Sequence, residues 1–346
     1  MSVMVDSAQA GMEARRRWDS VAKPLHSMGK LEDLVVRIAE IQGTADVEIG
    51  SRCALVFCGD HGVVAEGVTQ SGQEVTALVA RSIAEGTANV NLMAGAAGAD
   101  VFAVDMGMAA EVPGAISRRI ACGTANLAQG PAMTRAQAEQ ALQAGIALVG
   151  DMKARGYRMI ATGEMGIGNT TASAALTCAL MGLRPEEIVG RGAGLSDAGL
   201  ACKRRAVARA LAVNQPDRED PLDVLAKVGG FEIAGMAGAF LGGERYRIPL
   251  VIDGVISAVA ALIAARISPM ARGFMLPSHM SREPAAPPIM EELGLSPVLH
   301  ADMALGEGTG AVTLFPLLDM ALRVYNGTHT FDDLGMEAYT PQGGTP

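Results

Sequence analysis

The stretch Gly163-Glu164-Met165-Gly166-Ile167-Gly168-Asn169-Thr170-Thr171 restricts the fold of this chain more than any other. It follows Tyr157-Arg158-Met159-Ile160-Ala161, which reads as a short buried strand, and precedes an alanine-rich helical run, Ala172 to Leu180. A strand, a glycine-rich turn and a helix start in succession form an anion-binding geometry, because the first N–H groups of a helix have no partners within it. Glycines at such a turn let the backbone come close to a phosphate. The spacing is neither G-x-G-x-x-G nor a Walker A loop, since no Lys follows the last Gly, so a single phosphate fits better than a pyrophosphate. An ordinary tight β–α turn is the alternative. Glu164 stands out, because a carboxylate beside a phosphate repels it unless it faces another group.

The alternation recurs along the chain. Arg52 to Cys58 reads as a strand ending in Gly59-Asp60-His61-Gly62, with a loop to Gly72 and an amphipathic helix carrying Val75, Leu78, Val79 and Ile83. Asp100 to Asp105 is a second strand. After an irregular stretch over 111–131, Thr134 and Gln137 form a capping box for a helix to about Arg155. Pro249 to Asp253 and Phe274 to Leu276 read as further strands, with a helix over Val255 to Ala265 between them, and Gly229-Gly230 and Gly242-Gly243 bracket another helix. Such alternation implies a parallel sheet covered on both faces, with ligands at the carboxyl ends of its strands. Asp60 and His61 then read either as a catalytic pair or as groups fixing the loop. Ser71 and Gln73, at a helix start, either cap it or meet a ligand.

Val189-Gly190-Arg191-Gly192-Ala193-Gly194-Leu195 is a second glycine-rich turn, leading to a helix with Lys203, Arg204 and Arg205. This turn and Lys203 would close around the same phosphate, or else form a tight turn and a solvated basic face. Leu305-Gly306-Glu307-Gly308-Thr309-Gly310-Ala311 opens an apolar helix to about Tyr325. Residues 8–42 are helical, broken at Lys23 to Glu32, and contain no strand. We expect a small helical domain from 1–48, an α/β domain over 49–305 carrying most of the site, and a C-terminal helix and tail, 306–346, packing with the small domain.

A net charge of −9 with only 3% aromatic residues excludes a basic nucleic-acid footprint and base-stacking platforms. The five cysteines contain no C-x-x-C pair, which argues against a zinc site or a disulfide framework and for a cytoplasmic protein without a metal. Met1 to Arg17 is charged early and has no apolar signal region. Ile248 to Ile267 is interrupted by Asp253 and closed by Arg266, so it reads as strand, turn and helix and not as a membrane span.

Taken together, these blocks resemble the nicotinate-nucleotide:dimethylbenzimidazole phosphoribosyltransferases of cobalamin lower-ligand biosynthesis over nearly the whole chain. The resemblance rests on Lys23-Pro24 with Gly29-Lys30-Leu31-Glu32, Asp60-His61-Gly62-Val63 with Glu66-Gly67-Val68, and Gln73-Glu74-Val75-Thr76. It continues through Val104-Asp105-Met106-Gly107, Gly163-Glu164-Met165-Gly166 with Gly168-Asn169-Thr170-Thr171, and Lys227-Val228-Gly229-Gly230-Phe231-Glu232. Asp253-Gly254, Pro277-Ser278-His279 and Leu305-Gly306-Glu307-Gly308 complete it. One departure is that Lys-Pro is usually followed in the family by Gly-Ser-Leu-Gly, where His26 and Met28 intrude here.

The resemblance implies a Rossmann-like parallel sheet domain flanked by helices, a smaller helical domain built from both chain ends, and a homodimer. It implies transfer of the 5-phosphoribosyl group of nicotinate mononucleotide to 5,6-dimethylbenzimidazole, with inversion at C1′ and no cofactor or metal. Glu307 matches the general base and Glu164 a second carboxylate at the reacting centre. Ser71, Gln73, Met165 and Leu305 match positions near the aromatic base. Gly166, Gly168, Asn169, Thr170, Gly192, Gly194 and Lys203 match the phosphate and ribose surroundings, and Ser281 the nicotinate carboxylate. A relative using a purine or phenol as acceptor, and a non-catalytic nucleotide sensor, are the alternatives.

Overall fold

The computed structural model describes residues 2–340, with side chains from residue 7. Strands β1 (Arg52–Gly59), β2 (Asp100–Gly107), β3 (Ile116–Ser117), β4 (Met159–Met165), β5 (Leu250–Ile252) and β6 (Met275–Pro277) form one sheet in the order β3-β2-β1-β4-β5-β6. Every neighbouring pair is parallel. The order reverses between β1 and β4, which makes the gap beyond their carboxyl ends the switch point of a doubly wound sheet. All eight residues of β1 are buried, as a central strand with both faces covered must be.

Helices α1 (Ser2–Ser20) and α2 (Lys30–Gln42) precede the sheet. Helices α3 (Glu74–Ala84), α4 (Asn89–Ala96), α5 (Arg135–Ala154), α6 (Asn169–Met181), α7 (Pro185–Ile188) and α8 (Asp197–Asn214) are threaded through its first part. Next come α9 (Pro221–Val228), α10 (Phe231–Tyr246), α11 (Val255–Ile267), α12 (Ala286–Leu293) and α13 (Thr309–Gly327). Thr134 Oγ1 accepts from Gln137 N at 3.2 Å, so the capping box forms.

Several expectations change. The strand before the glycine-rich turn runs to Met165, so Glu164 lies on β4 itself. Helix α10 does not end at Gly242-Gly243 but passes through both. These glycines serve packing: a Cβ on Gly242 would stand 2.9 Å from Val149 Cβ of α5. The irregular stretch over 111–131 contains the short edge strand β3, and α4 and α12 carry too few residues for a periodic signal.

The described residues divide into two compact units, one made of those up to Gly50 together with those from Leu314, the other Ser51–Thr313. In the smaller, Trp18 packs on Tyr325 with ring centroids 5.0 Å apart, and Tyr325 Oη donates to Ala45 O at 3.0 Å. Buried Glu32 accepts from Lys23 Nζ at 2.7 Å and from Met28 N at 3.0 Å, fixing the loop between α1 and α2. His26, in this loop, holds φ +55°, a conformation that glycine adopts freely and histidine does not. The expected tail beyond Asn326 is described only to residue 340, where Phe331 N pairs with Ser20 O.

Candidate active site at the switch point

A cavity of about 290 Å³ lies at the carboxyl ends of the strands within the larger unit. Its walls come from the end of β4 and the start of α6, from Gly192, from the β5–α11 junction at Asp253, from the segment after β6, and from the loop before α13.

One end lies against a buried cation. Lys203, on α8, is 1% exposed, and its Nζ donates to Thr170 Oγ1 at 2.7 Å. It makes no ion pair with any described residue. Burial pushes its ammonium down to about 8, against the opposing influence of Glu283. Arg205, two positions on, faces solvent, so the basic run is split and only Lys203 turns inward. Of the turn amides, Ile167 N donates to Thr76 Oγ1 and Asn169 N to Gly166 O, while those of Gly168 and Thr170 make no hydrogen bond with described residues.

The other end gathers carboxyl groups. Glu164 accepts from Asn169 Nδ2, and burial, with Asp253, Glu232 and Glu307 nearby, pushes it up to about 8. Asp253 is raised to about 6 by burial, although it accepts from Ala311 N at 2.9 Å and Gly308 N at 3.2 Å. Glu307 holds φ +61° between Gly306 and Gly308 at +88° and +90°. Its oxygens accept from Asn89 Nδ2 and Val90 N, each at 3.1 Å, so the start of α4 orients the carboxylate. No described Lys or Arg pairs with Glu164, Asp253 or Glu307. Among the described residues no group of three or more His, Cys, Asp or Glu is arranged to hold a metal.

The glycines of the opening stretch act differently from expectation. A Cβ on Gly163 would stand 2.4 Å from Glu307 O, and one on Gly166 2.4 Å from Gly59 O. Gly168, at φ +100°, faces His61 and Val64. Close approach is therefore of chain to chain. Gly192 is the glycine beside the cation, with Lys203 Nζ 3.2 Å and Thr170 Oγ1 3.0 Å from its Cβ position.

Glu164, Met165, Gly166, Asn169, Thr170, Gly192, Ser281, Leu305 and Glu307 all line the cavity. Gly168, Gly194, Ser71, Gln73 and Lys203 do not, although Lys203 stands against Thr170 and Gly192, which do. Gln73 Nε2 donates to His61 O at 2.8 Å, and Ser71 is exposed. Of the two readings of Asp60 and His61, loop fixing holds: Asp60 accepts from Ala109 N at 2.8 Å, and fully buried His61 Nε2 lies 2.6 Å from Glu232 Oε1. Val79, Asp253, Ser257, His279 and Glu283 line the cavity without having been assigned to it beforehand. Asp253 and His279 had a signal, since each ends or follows a strand at the carboxyl rim. Val79 and Ser257 look like ordinary helix residues and had none.

A doubly wound parallel α/β unit, with a buried cation and buried carboxyl groups about the cavity at its switch point, places the protein in the Rossmann-like class. The family model described as phosphoribosyltransferase matches residues 4–336, and the chain belongs to that family. It is 44% identical over 330 residues to the nicotinate-nucleotide–dimethylbenzimidazole phosphoribosyltransferase of Acetivibrio thermocellus, covering 95% of this chain and 94% of that protein. The protein of the same name from Thermus thermophilus is 46% identical over 327 residues, with 94% and 97% covered. The crystal structure of CobT from Thermus thermophilus matches with a TM-score of 0.90 at 45% identity, over 95% of this chain and 99% of that one. No helix among the described residues is long and apolar enough to cross a membrane.

Proposed function

We propose that this chain transfers the 5-phosphoribosyl group of nicotinate mononucleotide to 5,6-dimethylbenzimidazole, giving α-ribazole 5′-phosphate and nicotinate. The observation that carries the reading is the polarity of the site: a buried Lys203 without an ion pair behind Thr170 and Gly192 of the cavity wall, and the Glu164 and Glu307 carboxyl groups toward the other end. A nucleotide phosphate at Lys203, Thr170 and Gly192 leaves the C1′ carbon to reach toward the carboxyl groups. There the positive pyridinium ring of the donor is favoured by negative charge.

A benzimidazole ring nitrogen attacks C1′ as the C1′–N bond to nicotinate breaks, and the bonding pair neutralises the departing ring. A single displacement inverts C1′. The proton on the other benzimidazole nitrogen passes to Glu307, whose orientation by Asn89 and Val90 suits a general base. Glu164, holding its proton near neutrality, lies beside Glu307, its backbone carbonyl accepting from Glu307 N at 3.3 Å. Met165 and Leu305 offer apolar surface to the acceptor, and Leu305 is 53% exposed in the free protein, ready to be covered. Nicotinate departs without protonation, so no acid catalyst is needed.

The test is release of free nicotinate on mixing enzyme and nicotinate mononucleotide, with and without dimethylbenzimidazole, with products identified by mass spectrometry. Acceptor-dependent release with α-ribazole phosphate formation is expected. Absence of release would leave a nucleotide sensor, and preference for a purine or phenol in a mixed set of bases would move the acceptor.

A further inference from the structure

The segment after β6 places a histidine on the cavity wall that the transfer chemistry above does not use. His279 is 3% exposed and lines the cavity together with Ser281 and Gly254. Its backbone is fixed by a parallel bridge to Leu299, so the ring projects from a held strand end.

The hydrogen bonds around it settle which nitrogen carries the proton. Ser278 Oγ lies 2.6 Å from Ile252 O, and a carbonyl oxygen only accepts, so the hydroxyl hydrogen goes there. The same Oγ lies 3.2 Å from His279 Nδ1, and with its hydrogen committed it serves as the acceptor. Nδ1 therefore bears the ring hydrogen. Burial also pushes the imidazole below the usual histidine range, which favours the neutral ring. In a neutral ring with Nδ1–H, Nε2 is a bare acceptor. Asp253 does not change this, because its oxygens already accept from Ala311 N and Gly308 N. Glu283, Glu164 and Glu307 also face the cavity, and none is hydrogen-bonded to the ring.

Nε2 has no described hydrogen-bond partner. It lies 4.0 Å from the point where a Cβ on Gly254 would stand, and Ser281 Oγ lies 3.9 Å from the same point. The missing side chain of Gly254 leaves that volume to a ligand. Contacts also place the pair along the wall. Glu283, which influences Lys203, donates its N–H to Ser281 Oγ at 3.4 Å. At the other side, His279 and Asp253 Oδ1 both crowd the Cβ position of Gly310, and Asp253 holds Gly308 beside Glu307. His279 thus stands between the cation and the carboxyl groups.

We infer that His279 Nε2 accepts a hydrogen bond from a pentose hydroxyl of the donor nucleotide, with Ser278 as the positioning residue that fixes its tautomer, and that this contact selects ribose over deoxyribose. The inference rests on the phosphoribosyl-transfer reading for the identity of the ligand. An acceptor on the wall between the phosphate and C1′ meets the part of the nucleotide that carries O–H donors. A substrate lacking the hydroxyl would leave a buried acceptor unpaired.

The experiment compares kcat/KM for nicotinate mononucleotide and its 2′-deoxy and 3′-deoxy analogues in the wild type, His279→Phe and His279→Gln. Loss of one hydroxyl contact should cost the wild type about 10- to 100-fold with one deoxy analogue. His279→Phe should lose as much with the ribonucleotide and little more with that analogue, whereas His279→Gln, which keeps an acceptor, should recover part of the preference. Thermal melts establish that both variants fold. A His279→Phe enzyme that is folded and still discriminates as the wild type does would overturn the inference. Independently of turnover, 15N NMR of the free protein should show the Nδ1–H tautomer for His279 and lose it in Ser278→Ala, and an Nε2–H tautomer in the wild type overturns it. If no nicotinate is released at all, the transfer reading fails by itself. Calorimetry with ribose 5-phosphate against 2- and 3-deoxyribose 5-phosphate then still decides the hydroxyl contact: tighter ribose binding, lost in His279→Phe, upholds it, and equal affinities overturn it.

Discussion

Toward one end of the cavity a single buried ammonium, Lys203, is held by Thr170 with no acid in ion-pair contact. Toward the other, Glu164, Asp253 and Glu307 share buried space without a Lys or Arg partner. Each end is electrostatically incomplete without a ligand, and the two deficits have opposite sign. Burying an uncompensated charge is costly, so proteins tolerate it mainly where binding or chemistry completes the site. The carboxyl end also differs within itself. Glu307 is fixed by donors of α4, whereas Glu164 sits among other acids and is pushed up to about 8. On this comparison we propose Glu307 as the base and Glu164 as its protonated neighbour.

The largest expected effect follows from that division. Glu307→Gln keeps the shape and removes the basicity, and should lower turnover by roughly 10²–10⁴-fold with nucleotide affinity little changed. Glu164→Gln exchanges one neutral group for another near pH 7, so it should lose much less. Single-turnover rates and calorimetry on both variants check the contrast, and near-normal turnover of Glu307→Gln would reassign the base to Glu164. The pH dependence sharpens this. Glu164 loses its proton as pH rises through about 8, so at saturating nucleotide the residual turnover of Glu307→Gln should rise across that range. The double variant should stay flat and be slower than either single one.

At the cation end, Lys203→Met should weaken nicotinate mononucleotide binding by about 10- to 100-fold, the scale of one hydrogen bond to a charged group, and dimethylbenzimidazole binding far less. Equal losses for the two ligands would point to a folding role instead. A surface lysine would make this loss strongly dependent on salt. Lys203 is almost fully buried and screened little, so the loss should be nearly the same at low and high salt. Its proton leaves as pH rises through about 8, so wild-type affinity should fall above that value. If the Lys203→Met protein falls with the same slope, the cause is the growing negative charge on Glu164.

Much of this contrast was legible in the sequence, and the rest was hidden for identifiable reasons. The order of strands and helices, the two turns and Lys203 could be read because parallel sheets impose hydrophobic runs ending at polar or glycine-rich rims. What misled was the meaning of the glycines. Gly163 and Gly166 are small because the backbones of Glu307 and Gly59 press against them, and such contacts are made by residues far apart in the chain. Asp253 and His279 were visible as rim residues, but their roles depend on Ala311, Gly308 and Ser278, which only the tertiary structure brings beside them. The anchoring of Glu307 by Asn89 and Val90 was equally hidden, because α4 itself was too short to be seen.

The smallest effect concerns stability. Glu164 has an ordinary value of 4.5 and is raised in the fold to about 8. Between those values the folded chain holds a proton that the unfolded chain has released, so the unfolded state binds fewer protons. The contribution of Glu164 to stability is therefore present in full below pH 4.5 and is lost as pH rises through about 8. Gln in its place does not titrate, so the melting temperature of Glu164→Gln relative to wild type should climb from pH 5 to pH 8. Neighbouring groups relax when one acid of a cluster ionises, which keeps the gain to about 1 kcal/mol, or roughly 2–4 °C. Thermal melts of the ligand-free protein across this range provide the check. A difference that stays constant with pH would mean that Glu164 is already ionised in the fold, and the contrast between the two glutamates would then disappear.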